Sequence, residues 1–167
     1  MQDLATYQIG KSDELLRIGT RNECRDVTLA IAAQASHSLA IFSHDLEPDL
    51  YNSSKFIDAA RHVLASDSHA SIRILVFDIS RIIQTGHKLI HLSRSQTSRV
   101  QIRQLPQPYH HAFMVADNIA VLDRRRAERF EATANFNDAG WAGNLLHFFD
   151  TTWEKSVRAT ESQRLGI

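Results

Sequence analysis

Apolar positions along this chain switch between a helical period and a strand period, and each switch marks an element. Residues 21–36 read as a helix whose polar start is Arg21, Glu23, Arg25 and Asp26 and whose interior carries Val27, Leu29 and Ile31. Leu39-Ala40-Ile41-Phe42 is an unbroken apolar run, the mark of a strand covered on both faces. Residues 43–52, with Asp45, Glu47, Pro48 and Asp49, read as a loop, and Ser53 or Ser54 caps a helix carrying Phe56, Ile57, Ala60, Val63 and Leu64. Ile72 to Phe77 predicts a strand, Ile79 to Ser93 a helix containing Gly86, and Val100, Ile102 and Leu105 alternate with polar residues as a further strand. Pro106 and Pro108 stop it. Ala112–Ala116 and Ile119–Leu122 flank Asp117-Asn118, the pattern of a hairpin with a two-residue turn. A charged connection follows over Asp123–Arg129, then a strand within Phe130–Phe136. Asn137 or Asp138 caps a last helix with Trp141, Leu145, Phe149 and Trp153.

Alternating helices and strands imply parallel pairing, and the hairpin adds antiparallel strands. The expected fold class is therefore α/β, with a mixed central sheet flanked by helices on both faces. The 167 residues form one domain, with residues 1–20 as an N-terminal arm and 159–167 as a frayed polar tail. A chain of this size buries roughly 68–70% of its unfolded surface, enough for a core without disulfide or metal staples. The lone Cys24 reads as a small buried residue. Lys+Arg and Asp+Glu balance at 19 each, so any anion site must be local rather than a general basic surface. No leader pattern or span-length apolar run is present, and the expected location is cytoplasmic.

Chemistry concentrates in His110-His111-Ala112-Phe113-Met114-Val115-Ala116-Asp117, where a His opens an apolar strand and an Asp closes it, and in Ala132-Thr133-Ala134-Asn135-Phe136 further on. These segments resemble the phospholipase D superfamily, whose signature is HxKxxxxD followed by GSxN. Ser38–Phe42 and Ser71–Leu75 resemble two of that family's strands, and the closing helix also fits, so the resemblance spans about residues 22–157, a single repeat.

The resemblance implies that His110 is the nucleophile, that Asp117 orients the imidazole, and that Asn135 and Thr133 hold phosphate oxygens. Covalent attack by one His, with a second protonating the leaving oxygen, splits a hard displacement into two easier ones. A single repeat supplies two copies of the motif only as a symmetric homodimer. The pattern is broken here: Ala112 stands where the family has its Lys, Ala132-Thr133 replaces Gly-Ser, and the connection from Asp117 is longer than the family's usual spacing. The lost cation matters because the transferring phosphoryl group gathers negative charge.

Arg124, Arg125 and Arg126 are candidate replacements, since the guanidinium fork suits phosphate. His44, after the first parallel strand, is a candidate phosphate ligand at the sheet end where open α/β folds place ligands. His87 and His91 are spaced for a helix face but lack the Glu and the third ligand of a zinc protease, so a solvated face is expected, with no metal and no cofactor. No RNA-binding signature surrounds the basic cluster, and nucleic acid is not indicated as a partner. The expected function is a degenerate phospholipase D-like domain, inactive or weak, that serves as a binding, regulatory or dimerisation module with a phosphate crevice. Similar domains, by the resemblance, accompany other bacterial enzyme domains. The alternative is an active homodimeric phosphodiesterase or nuclease using His110 from each subunit.

Overall fold

The computed structural model describes residues 3–158, so the expected tail at 159–167 lies outside the described residues. Eight strands form one mixed sheet: β1 (Leu16–Ile18), β2 (Ser38–Ser43), β3 (Ser71–Val76), β4 (Val100–Gln104), β5 (Ala112–Ala116), β6 (Ala120–Arg124), β7 (Ala132–Asn135) and β8 (Val157–Arg158). Their order is β1-β7-β6-β5-β2-β3-β4-β8. The neighbours β2, β3 and β4 run parallel, and every other pairing is antiparallel. The helices are α1 (Arg21–Gln34), α2 (Pro48–Tyr51), α3 (Ser54–Ser66), α4 (Ile79–Gln84), α5 (Lys88–Ser95) and α6 (Ala139–Glu154).

Strand alternation sends the two faces of the sheet into two cores. Leu39, Ile41, Ile72, Ile74, Met114 and Leu122 pack with the first five helices, and Ala40, Phe42, Leu75, Phe113, Val115 and Val121 pack under α6. The expected α/β class with helices on both faces is thus the observed one. No helix among the described residues is long and apolar enough to cross a membrane.

Local chemistry sets the element ends. Thr20 accepts from the Glu23 N–H at 3.1 Å, Ser53 from Phe56 N–H at 3.0 Å and Asp138 from Trp141 N–H at 2.9 Å, satisfying helix-start donors that lack an intrahelical acceptor. The apparent loop at 43–52 contains the short α2, opened by Pro48 and holding Leu50 and Tyr51 in the core.

The expected helix over Ile79–Ser93 is two helices. Gly86 takes φ +63°, a left-handed turn that suits glycine, and His87 then starts α5. His87 is not on a solvated face: it is fully buried, accepts from Leu89 N–H at 3.1 Å through Nδ1 and donates from Nε2 to the Leu46 carbonyl at 3.0 Å.

The hairpin also departs from expectation. Asp117 and Asn118 have φ of 54° and 61°, the left-handed pair of a tight turn, and Ile119 N–H donates to Ala116 O at 3.1 Å. The register nonetheless pairs Ala116 with Ala120, so Ile119 joins the connection and the return strand runs Ala120–Arg124. Asp123 and Arg124, expected in an exposed charged connection, are buried in β6.

Candidate functional site

The C-terminal end of β2 and the N-terminal end of β5 meet, because Phe42 pairs with Phe113 across antiparallel strands. This brings His44 and His110 onto one cleft of about 470 Å³, together with Tyr109 and Arg124. His110 is exposed on its rim. Three carboxylates, Asp45, Glu47 and Glu128, line the same cleft. Asp78, after the end of β3, caps α4 and accepts from Arg81 N–H at 3.1 Å.

The family's Lys position is Ala112, and its register partner on β6 is Arg124. Paired residues project to the same face of a sheet, so a cation does stand beside the vacated position, on the neighbouring strand. It is not free. Arg124 is 1% exposed, with Nη1 2.9 Å from Glu47 Oε1, in ion-pair contact although out of hydrogen-bonding line. Its Nε donates to Arg129 O at 2.9 Å and its Nη2 to Ala127 O. Burial works to depress the Arg124 pKa, but Glu47 and the nearby Tyr51 and Cys24 outweigh it and hold the guanidinium above its ordinary value. In the same pocket burial pushes the Cys24 thiol up to about 11 and raises the Tyr51 phenol far above its usual range. The cation is permanent, and Glu47 neutralises it.

Asp117 and Asn135 are not brought to His110. His110 precedes β5 and Asp117 follows it, a separation of roughly 20 Å along an extended strand. The Asp117 carboxylate accepts backbone N–H bonds from Ser36 at 3.0 Å, His37 at 2.7 Å and Ser38 at 3.1 Å, where α1 hands over to β2. Asn135 pairs in register with Val121 at the same far end, donates to Asp13 Oδ1 at 3.0 Å and accepts from Asn137 N–H at 2.9 Å. The segment that does lie beside His110 is the connection after β6, where Ala127 N–H donates to His110 O.

The remaining phosphate candidates leave this cleft. Arg125, Arg126 and Thr133 line a second one of about 460 Å³, together with Arg17, Arg129 and Asp123. Asp123 accepts from His111 Nε2, and its register partners are Phe113 and Thr133. Thr133 is in turn paired with Arg17. Sequence reasoning missed Glu47, Asp123, His111 and Arg17. Only the His111–Asp123 pair had a signal, since a hairpin centred on Asp117-Asn118 brings those positions close.

A mixed sheet in this order, with the His110 strand and its hairpin partner at the centre, defines a phospholipase D-like fold. The chain belongs, over residues 20–165, to the family described as "Domain of unknown function (DUF7931)". No curated protein matches it. Among solved structures it is similar to the phospholipase D family member Nuc of Salmonella typhimurium, with a TM-score of 0.60 at 12% identity, covering 88% of this chain and 97% of that one. NucT from Helicobacter pylori gives a TM-score of 0.61 at 11% identity, covering 87% and 98%. TrmBL2, described as an archaeal chromatin protein with a novel mode of DNA binding, gives 0.66 at 13% identity; the match covers 86% of this chain and 52% of TrmBL2.

Proposed function

We propose that this chain is a degenerate phospholipase D-like module that binds rather than hydrolyses, in a regulatory or assembly role. The observation that carries this reading is the pairing of Ala112 with Arg124, whose only charge partner among the described residues is Glu47. A working phosphodiesterase needs a cation aimed at the phosphoryl oxygens. Removing one such donor commonly costs on the order of 10² to 10³ in rate, and loss of a full charge costs at least that. The carboxylates around His110 oppose a phosphodiester further. Ala132-Thr133 stands in place of the family's Gly-Ser, and Asn135 is held by Asp13 at the far end of the sheet. A fold shared both with a phospholipase D family member and with a DNA-binding chromatin protein does not itself carry hydrolysis.

The test is turnover of bis-(p-nitrophenyl) phosphate by the wild type and by His110→Ala. Equal background rates are expected. Turnover in the wild type that disappears in His110→Ala would overturn this reading in favour of the active homodimer with one His110 from each subunit.

A further inference from the structure

The second cleft lies on the α6 side of the sheet, where β1, β7 and β6 run side by side. A row of register partners crosses its floor: Arg17 on β1, Thr133 on β7 and Asp123 on β6. Arg125, Arg126 and Arg129, from the connection between β6 and β7, line the same cleft. Two carboxylates share the lining, Asp123 and Glu131. Asp123 is engaged by His111, and Glu131 lies 3.8 Å from Arg129 with both side chains more than half exposed, a contact worth little. Arg17, Arg125 and Arg126 have no carboxylate partner among the described residues.

The loop that presents these arginines is held from below. The buried Arg124 guanidinium takes the carbonyls of Ala127 and Arg129, and Ala127 N–H is tied to His110 O. Three loop arginines are thus carried on a backbone fixed by a fourth, and a site arranged before binding loses less entropy when its ligand arrives.

We infer that the Arg17–Arg125–Arg126–Arg129 cleft with Thr133 is a site for a single phosphoryl dianion, on the opposite face of the sheet from His110. It deepens the binding role proposed above and rests on it for what the module does, though not for where the anion sits. The charge balance selects the ligand: four guanidinium groups against two carboxylates leave a surplus of two, which one phosphomonoester neutralises. A nucleic-acid backbone fits worse. Asp123 and Glu131 would face its neighbouring phosphates, and the chain as a whole carries no net positive charge to hold a polyanion. Planar forks give the two-point contacts that phosphate oxygens take well, and the Thr133 hydroxyl adds a neutral donor. The volume of about 460 Å³ suits a small organic phosphate.

The experiment is isothermal titration calorimetry at low ionic strength with ribose 5-phosphate, inorganic phosphate and an unphosphorylated single-stranded oligonucleotide as probes. Arg17→Ala and Arg126→Ala remove exposed side chains, as does the control Arg94→Ala on α5, so all three variants should fold; thermal denaturation checks that. The expected result is phosphate binding that weakens at least about tenfold in Arg17→Ala and Arg126→Ala and is unchanged in Arg94→Ala. Preference for the ester assigns the site to an organic phosphate, and equal affinity for the free ion assigns it to inorganic phosphate. Absence of phosphate binding, binding that survives both cleft variants, binding lost only in His110→Ala, or tighter binding of the oligonucleotide would each overturn the inference. Phosphodiester turnover is read separately on the same proteins. Hydrolysis that depends on His110 but not on Arg17 would sink the inactive reading alone, and loss of the phosphate site without hydrolysis would sink only this one.

Discussion

Ala112 and Arg124 face one another across β5 and β6, so a methyl group lies beside a fully buried arginine. The space a long side chain would need at position 112 is therefore next to a guanidinium already committed to Glu47 and to two carbonyls of the following loop. One buried arginine links both clefts: it closes the floor of the His110 cleft and fixes the backbone that carries Arg125, Arg126 and Arg129 into the other.

Breaking that ion pair from the acid side leaves an uncompensated buried charge. Glu47→Gln is expected to cost about 3–5 kcal/mol in urea denaturation, since Arg124 is too enclosed to find water. The double variant Glu47→Leu with Arg124→Met should cost clearly less than the sum of its two single changes, because neither charge then remains buried. A strictly additive cycle would show that the two side chains do not act as a pair.

Most of the fold is legible in the apolar pattern. The runs at Leu39–Phe42 and Ile72–Val76, the hairpin and the amphipathic α3 and α6 all lie where period and caps put them. Register was not legible, and register decides the site. A two-residue turn would set Ala112 opposite Asp123; one further residue, Ile119, sets it opposite Arg124 instead. A slip of one residue exchanges the two faces of a strand. It sends Arg124 toward Glu47 and Asp123 toward His111. Composition also hid Glu47 and Arg17, because a buried and an exposed charge look alike in a sequence until the strand or helix beneath them is placed. The short α2 escaped for a related reason: four residues cannot display a helical period.

His87 gives the fold a dependence on pH. Burial is the main cause that lowers its pKa; the positive Lys88 adds to it, while the Leu46 carbonyl and Asp45 work in the other direction. The unfolded chain therefore takes up a proton near its ordinary value of about 6.5 while the folded chain does not. More protons on the unfolded state means that stability is fully present above that pH and falls as the pH drops toward the lower folded value. Protonation also removes the Nδ1 lone pair that caps Leu89. Urea midpoints should fall between about pH 7 and pH 5, and His87→Asn, which keeps a side-chain acceptor for the cap, should lose most of that slope while being less stable overall. A slope unchanged in the variant would assign the acid sensitivity to another group.

Asp117 is the residue for which the phospholipase D resemblance and the geometry suggest different duties. Its carboxylate collects the N–H groups of Ser36, His37 and Ser38, while its own backbone N–H donates to Ser38 O at 3.0 Å, so one residue ties the hairpin turn to the entry of the central strand β2. Asp117→Asn keeps the size and tolerates the left-handed φ of 54°, and thus isolates the charge-assisted bonds from the turn conformation. The variant should lose about 1.5–3 kcal/mol of stability, since bonds to a charged acceptor are worth more than neutral ones. Phosphate affinity should stay unchanged, because the carboxylate lies at the far end of the sheet from both clefts. Unaltered stability together with a changed affinity would show instead that the carboxylate acts on a binding site and not on the frame.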